Sequence, residues 1–261
     1  MREVLERLLA GDFTVEEALR ALEAQPVDVA GDLARLDPDR RRRKGVPEVI
    51  YAPGKTAAVT GELAARMLDL TGQVLVSRVA ADHDAVLDQL ARDRGLDYEH
   101  FGSSRRIRAS LPGEPGPASG LVGIVSGGTS DIDVAEEARM VIEGMGLRSQ
   151  HAYDVGAAAL QRLHQPLKEM ITAGVDAIVV AAGMDAALPT VVAGLVSVPV
   201  IAVPVSTGYG AGGRGLAALL SMLQCCSPGV SVVNIDNGIG AGAAAGLVAL
   251  RVQAARAGAS T

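Results

Sequence analysis

The sequence predicts an α/β protein in which a doubly wound parallel sheet follows a smaller α/β domain. After residue 119, continuous apolar segments alternate with amphipathic helical segments, the pattern of parallel strands that are buried on both faces. A segment rich in proline and glycine, SLPGEPGPASG at 110–120, separates this part from a charge-dense N-terminal part. We therefore place a small α/β domain at 1–110, a linker at 111–119 and the doubly wound domain at 120–261.

The N-terminal part begins with two predicted short helices. The second starts at a capping box, in which Thr14 and Glu17 stand three residues apart ahead of apolar positions. A basic run, RRRRK at 40–44, follows. The apolar pattern then predicts strands at 48–52, 74–77 and 106–109 and helices at 55–70 and 82–94.

The C-terminal part is more regular. Its pattern predicts strands at 121–126, 149–153, 176–182, 198–205 and 231–235 and helices at 132–145, 157–173, 186–196, 213–224 and 241–255. In such sheets ligands bind outside the carboxyl ends of the strands. The loops that follow the strands are thus predicted to form the functional site, and they lie at 126–131, 153–156, 182–185, 206–215 and 234–242.

Composition excludes several classes of function. The net charge is −6, and there are no Trp, two Phe and four Tyr, so neither a general polyanion-binding surface nor an aromatic platform for single-stranded nucleic acid is expected. The N-terminus carries acidic residues within its short apolar stretch, and the longer apolar runs stay below the roughly 18 to 20 residues of a membrane span. Two adjacent cysteines form no disulfide framework. We expect a cytoplasmic protein with no membrane or nucleic-acid partner.

The first loop of the C-terminal part, SGGTSD, is the strongest local signal. Its glycines let backbone N–H groups approach an anion, and the following helix start attracts phosphate. The alternative is an ordinary helix cap after a tight turn. Asp131 suits a ribose hydroxyl or a metal better than a phosphate. The predicted substrate-binding residues of this loop are Ser126, Gly127, Gly128, Thr129, Ser130 and Asp131.

Other patterns carry less weight. The segment 210–215 formally matches G-x-G-x-x-G, but it follows a late strand rather than the first, which disfavours a nicotinamide-dependent dehydrogenase. Lys55 follows Gly54, yet Val49 stands where a P-loop requires glycine, so Lys55 is either an anion contact or a solvated lysine. The four histidines lack metal-ligand spacing. Each of the two cysteines is either a nucleophile or a buried free thiol.

Taken together, five segments resemble the LarB family over roughly residues 35 to 248. They read PEVIYAPGKT, VSGGTSDIDVAEEA, YDVG, VVAAGMDAALPTVVAGLVSVPVIAVPVSTGYG and SMLQCCSPGVSVVNIDNGIGAG. The resemblance implies a C-terminal domain similar to PurE, the aminoimidazole ribonucleotide carboxylase, with a flavodoxin-like or Rossmann-like arrangement of three layers. It also implies a homo-oligomer, an octamer, with sites shared between subunits.

The resemblance further implies the first step of nickel-pincer nucleotide cofactor biosynthesis. Nicotinic acid adenine dinucleotide is carboxylated with CO₂ or bicarbonate at pyridinium C5, and its phosphoanhydride is hydrolysed to give AMP and pyridinium-3,5-biscarboxylic acid mononucleotide. The family cysteine maps onto Cys226, which would add to C4 of the ring. Asp185 is a base or water activator, one methylene shorter than the family's glutamate. The resemblance implies Mg²⁺ or a similar divalent ion and no organic cofactor, with the metal ligands unknown.

One departure separates this chain from PurE itself. PurE enzymes carry a histidine in the loop after the second strand, where this chain reads Tyr153-Asp154-Val155-Gly156, which disfavours purine synthesis. An aminoimidazole ribonucleotide carboxylase or mutase is nevertheless the alternative enzyme, and a non-catalytic nucleotide-binding sensor is the third hypothesis. The remaining predicted substrate-binding residues are Asp154, Gly183, Met184, Lys55, Arg78, Asn234 and Asp236.

Overall fold

The computed structural model describes residues 2–23, 28–30, 34–109 and 120–258. The predicted linker at 111–119 lies outside the described residues. The described N-terminal part contains helices α1 (Arg2–Leu9), α2 (Val15–Glu23), α3 (Arg40–Lys44), α4 (Ala57–Thr71) and α5 (Ala81–Arg94) and strands β1 (Asp28–Ala30), β2 (Ala34–Leu36), β3 (Val49–Tyr51), β4 (Gln73–Ser77), β5 (Asp97–Phe101) and β6 (Ser104–Arg108).

The N-terminal part is built on a mixed sheet in the order β3-β4-β6-β5, in which only β3 and β4 run parallel. The predicted capping box is present, since Glu17 N donates to Thr14 Oγ1 over 3.2 Å and Thr14 N donates to Glu17 Oε2 over 2.8 Å. The sequence pattern missed β5 because its DYEHF segment is polar. Its Glu99 pairs with Arg106 and Arg108 of β6, and Phe101 is the one residue of the strand that is fully buried.

The described C-terminal part alternates strands and helices throughout. The strands are β7 (Leu121–Ser126), β8 (Arg148–Ala152), β9 (Ala177–Ala182), β10 (Val200–Pro204) and β11 (Val230–Val232), and the helices are α6 (Ile132–Gly144), α7 (Gln161–Ala173), α8 (Leu188–Ala193), α9 (Leu216–Leu223) and α10 (Gly238–Gly258). All predicted strands of this part are present, although β11 ends at Val232, before the predicted limit at residue 235.

The C-terminal strands form one parallel sheet in the order β8-β7-β9-β10-β11. Numbered within the domain this is 2-1-3-4-5, the flavodoxin-like order, so the predicted doubly wound fold is confirmed. In this topology the connection from β7 leads to β8 on one side of it, and the connection from β8 leads to β9 on the other side. The crevice outside the carboxyl ends of β7 and β9 is therefore the expected ligand position.

Helix α6 joins the two parts of the protein. It covers the C-terminal sheet and also packs against the N-terminal sheet, so that Leu75 of β4 and Phe101 of β5 share one core cluster with Met140, Val141 and Ile142. All five of these side chains are at most 2 % exposed. The N-terminal sheet is thereby fixed against the helix that leaves the first loop of the C-terminal sheet.

Helix α10 lies along α6 at very short range. A Cβ atom at Gly242 would stand 2.5 Å from the carbonyl oxygen of Ala138, and one at Gly238 would stand 2.3 Å from that of Val134. By length and composition alone, α10 is apolar enough to cross a membrane, and 33 % of its most apolar 18-residue stretch is buried. A core helix of a soluble protein has the same length and composition. Its close contact with α6 places it in the core of this fold.

Candidate active site

Backbone strain concentrates at the carboxyl ends of the strands. Positive φ angles are strained for residues other than glycine, and such residues gather at functional sites. In the described part of the chain, every non-glycine residue with positive φ lies at or after the end of a strand. They are Arg78 (φ 55°) after β4, Asp154 (57°) after β8, Met184 (46°) and Ala186 (50°) after β9, Arg214 (48°) after β10 and Asp236 (56°) after β11.

Asp131 connects three loops at this edge. Its Oδ2 accepts from Gly128 N over 2.8 Å, its Oδ1 accepts from Thr207 Oγ1 over 3.2 Å, and the amide of Gly183 also donates to it. The carboxyl is 4 % exposed, and burial raises its pKa above the ordinary value despite these hydrogen bonds. Asp131 therefore holds the loops after β7, β9 and β10 together, and direct contact with substrate stays a prediction.

Ser126 connects the first two loops at the same edge of the sheet. It is fully buried, its Oγ donates to Gly128 O over 3.3 Å, and it accepts from Asp154 N over 3.1 Å. Asp154 is half-buried and pairs with Arg162 over 2.7 Å. The first and second loops are thus tied together, and the more exposed Thr129 and Ser130 are left to face solvent.

The turn after β9 is shaped by close backbone approach. A Cβ atom at Gly183 would stand 2.6 Å from Thr207 O, so this position requires glycine. The turn continues through two strained residues, Met184 and Ala186, which leave Met184 and Asp185 exposed. Asp185 is therefore at the predicted edge and accessible to a substrate.

Two adjacent clefts open at this edge, on either side of Ser206 and Thr207. The first, of about 330 Å³, lies along the glycine-rich loop 208–215 and reaches Met184. The second, of about 230 Å³, we name the Arg78 cleft; its polar lining residues are Arg78, Ser103, Ser130, Asp133, Glu137, Ser206, Thr207 and Asp236. A larger cavity of about 410 Å³ lies between α3 and α4 and contains none of the predicted site residues.

Arg78 reaches this cleft from the N-terminal part, and its contact with substrate stays a prediction. Its Nη2 donates to the carbonyl oxygen of Asp236, and its Nε donates to Glu137 Oε1 over 3.3 Å. Asp236 Oδ1 in turn accepts from Ser206 N over 2.7 Å. Lys55 lies further out: its Nζ donates to Tyr51 O over 2.6 Å, and it is not among the residues that line the two clefts. Asn234 is exposed, and its side chain accepts from the amide of Ile235.

Cys226 lies away from these groups within one chain. It follows α9 and precedes β11, where Ser227 Oγ donates to Thr190 O and Val200 N donates to Gly229 O at the amino ends of the strands. Asp236 follows the carboxyl end of β11, whose three residues alone rise about 10 Å. One chain therefore does not bring Cys226 and the predicted substrate-binding loops together. Cys226 is exposed, whereas Cys225 is partly buried.

Glu137 is a site residue that the sequence reasoning missed. Its carboxylate is 3 % exposed and accepts from Ser77 Oγ, from Arg78 Nε and, over 3.3 Å, from Ile239 N at the start of α10. A signal was present in the sequence: Glu137 stands three residues after Val134 and four before Val141, on the apolar face of the predicted helix. A carboxylate on such a face requires a partner.

The expected divalent metal has no ligand set in the described residues. No three His, Cys, Asp or Glu side chains there are grouped so that they would hold an ion. The carboxylates of Asp131 and Asp236 are already engaged by amide and hydroxyl donors. The described residues do not fit a resident metal site.

Comparison with known families agrees with the strand order and the two-part architecture. The AIR carboxylase family model matches residues 121–259, and the LarB/PurE-like N-terminal domain model matches residues 28–107. The chain belongs to the AIR carboxylase family, in the LarB-like group that carries this N-terminal domain as well. The chain is thus a member of a family whose described activities are those of carboxylases and mutases.

Individual relatives cover the chain to different extents. An uncharacterized protein, MJ0165 of Methanocaldococcus jannaschii, is 38 % identical over 95 % of this chain and 96 % of its own length. The N5-carboxyaminoimidazole ribonucleotide mutase of the same organism is 34 % identical over 51 % of this chain and 79 % of its own length. That of Pyrococcus horikoshii is 34 % identical over 51 % of this chain and 71 % of its own length.

Proposed function

We propose that this protein carboxylates the pyridinium ring of nicotinic acid adenine dinucleotide at C5 and hydrolyses its phosphoanhydride. The observation that carries the proposal is the Arg78 cleft, in which three carboxylates, those of Asp133, Glu137 and Asp236, accompany one guanidinium. A negative cleft at the ligand edge suits a cationic ring. The LarB-like two-part architecture supports the same substrate.

The proposed chemistry begins with the Cys226 thiolate. It adds to ring C4 with formation of a C–S bond, the displaced π-electron pair becomes a lone pair on the ring nitrogen, and the neutral enamine that results is nucleophilic at C5. C5 attacks the carbon of CO₂, its proton passes to a base for which Asp185 is the candidate, and expulsion of the thiolate restores the aromatic cation. Water then cleaves the phosphoanhydride, which releases AMP. We assign no step to a metal ion.

For Cys226 to act on a substrate in these clefts, a second copy of the chain must supply it. We propose that the exposed face of α9, formed by Leu216, Leu220 and Leu223, packs against another copy and carries Cys226 toward that copy's clefts. These leucines are 52–61 % exposed, while Ala218 and Met222 of the same helix pack on the sheet. Because these leucines are already nearly half buried, covering the rest of each is worth roughly half of the 1.5–3 kcal/mol of a fully exposed side chain, about 0.8–1.8 kcal/mol each. This face is our candidate interface for the homo-oligomer that the family resemblance implies.

The first test is an assay with nicotinic acid adenine dinucleotide, bicarbonate and Mg²⁺, followed by mass spectrometry of the products. Cys226→Ala is expected to abolish the dicarboxylated mononucleotide. Cys225→Ser is the matched control: this neighbouring thiol is partly buried and donates to Ser227 O over 3.5 Å, which a hydroxyl also does, so product should persist. Full activity of Cys226→Ala would refute the mechanism.

A subunit-complementation assay tests the shared site. Cys226→Ala and Arg78→Gln homo-oligomers are each expected to be weakly active or inactive. When the two are unfolded together and refolded as a mixture, some sites combine an intact Cys226 with an intact Arg78, and activity should return. Activity no higher than in the separate preparations would show that each chain supplies its whole site.

A PurE-like mutase is the second candidate function, because the relatives with that name match the C-terminal half of the chain. Tyr153 and Asp154 stand where PurE enzymes carry histidine, and the Tyr153 hydroxyl is already bound to Glu136. Turnover of N5-carboxyaminoimidazole ribonucleotide would favour this function over the first. Binding of a nucleotide without turnover of either substrate would favour the sensor.

A further inference from the structure

We propose that Arg78, held in place by Glu137, selects a substrate whose ring carries a carboxylate over the same substrate with a carboxamide. This inference rests on the proposed function and deepens it: the Arg78 cleft would discriminate the acid dinucleotide from the amide dinucleotide. Nothing in the family match or in the named relatives assigns a role to either residue.

The geometry of Arg78 is fixed from three sides. Its backbone is strained at φ 55°, its Nε donates to the buried carboxylate of Glu137, and its Nη2 donates to the carbonyl oxygen of Asp236. The Tyr51 ring lies beside the guanidinium, with 5.6 Å between Arg78 Cζ and the ring centroid. Strain that the surrounding contacts maintain is typical of a residue with a functional task.

Glu137 supplies the link between the two parts of the protein. It stands on α6, while Ser77 and Arg78 follow β4 and Ile239 begins α10. Because the carboxylate is buried and accepts from all three, it fixes the guanidinium relative to the C-terminal sheet. Glu137 is thus a positioning residue, and Arg78 is the group that would touch the substrate.

The charge balance of the cleft favours a carboxylate over a phosphate at Arg78. The Arg78 side chain is still 37 % exposed, so part of the guanidinium remains open to a ligand. Glu137 and Asp236 already offset its charge, and Asp133 adds a further negative charge. The diphosphate bridge of a dinucleotide, with two negative charges, is repelled there, whereas a planar carboxylate matches the guanidinium fork and, on a cationic ring, forms a zwitterion without net charge.

The experiment compares the dissociation constants of nicotinic acid adenine dinucleotide and nicotinamide adenine dinucleotide by titration calorimetry. A charge-assisted hydrogen bond is worth roughly 10- to 100-fold in affinity. Wild type should therefore bind the acid at least about tenfold more tightly than the amide. Arg78→Gln should bring this ratio close to one, chiefly by weakening the acid, and Glu137→Gln should lower it by at least about threefold.

Glu136→Gln is the matched control. Glu136 is similarly buried on the same helix but binds Tyr153 and Arg139 instead of Arg78, so this variant should keep the wild-type ratio. The proposal would be overturned if Arg78→Gln weakened the binding of both dinucleotides by the same factor. It would also be overturned if Glu136→Gln lowered the ratio of acid to amide affinity as much as Glu137→Gln does.

The outcomes also separate this inference from the proposed function. Wild type that turns over the acid dinucleotide yet binds acid and amide equally refutes the selection by Arg78 and leaves the proposed function intact. A preference for the acid that Arg78→Gln removes, without turnover, supports the selection and refutes the proposed activity. Wild type that binds neither dinucleotide refutes both.

Discussion

Substitution of Gly242 by alanine should destabilise the protein although alanine is the better helix former. Gly242 lies in the interior of α10, and its added methyl carbon would stand 2.5 Å from Ala138 O and 3.0 Å from Ala138 Cα on α6. Both atoms belong to the backbone of a helix packed between two sheets, so neither moves aside easily. The expected response is a shift of α10 away from α6.

The magnitude follows from two opposing terms. Overpacking of a core costs about 1–3 kcal/mol. Replacement of glycine by alanine within a helix contributes about 1 kcal/mol in the other direction. We therefore expect Gly242→Ala to lower the free energy of unfolding by about 1 kcal/mol, within a range of about 0 to 2.

Gly246→Ala is the matched control on the same helix. Its methyl carbon would stand 2.5 Å from Met145 Sδ, near the flexible end of a side chain that can rotate away. The control retains the propensity gain without a backbone clash, so it should be neutral or stabilising. Urea unfolding at equal chain concentration measures both variants. If Gly242→Ala is as stable as Gly246→Ala, α10 does not pack on α6 as described.

Two further predictions concern the site edge and the assembly. Burial raises the pKa of Asp131 in the folded state, so the folded protein binds this proton more tightly than the unfolded chain and loses stability as pH rises through that pKa. Asp131→Asn has no such proton to lose. The free energy of unfolding of this variant minus that of wild type should therefore increase as pH rises from the ordinary aspartate pKa of 3.8 toward neutral pH. A difference that does not change with pH would contradict a raised pKa of Asp131. Leu220→Asp should dissociate the oligomer, as measured by light scattering, whereas Ile171→Asp, 49 % exposed on α7, should not. An unchanged mass for Leu220→Asp would exclude the α9 face as the interface.

The C-terminal fold was predictable because its strands are buried on both faces and read as uninterrupted apolar runs. The N-terminal part was harder. Strand β5 carries Asp97 and Glu99, and Phe101 is its one fully buried residue. Periodicity reports burial of apolar side chains, so a strand in which one residue of five is buried escapes it.

The predicted loops lie at one edge of the sheet, and the functional roles of their residues stay predictions. Loop positions follow from topology, and the strained residues after the strands lie there. The direction of a side chain does not follow from topology. Ser126 and Asp131 turn inward to bind the loops together, and Glu137 enters the site from a helix rather than a loop. Cys226 stands at the opposite end of β11, as its place before the predicted strand implies; its assignment to the site came from the family resemblance and not from topology.

The transfer of labelled carbon tests the proposed reaction most directly. The protein is incubated with nicotinic acid adenine dinucleotide and ¹³C-bicarbonate, and the mononucleotide product is analysed by mass spectrometry beside that of Cys226→Ala. We predict one labelled carbon in the ring-bearing product of the wild type, stoichiometric AMP, and no such product from Cys226→Ala. A labelled product from Cys226→Ala, or AMP release without labelled carbon in the ring, would contradict the proposed function.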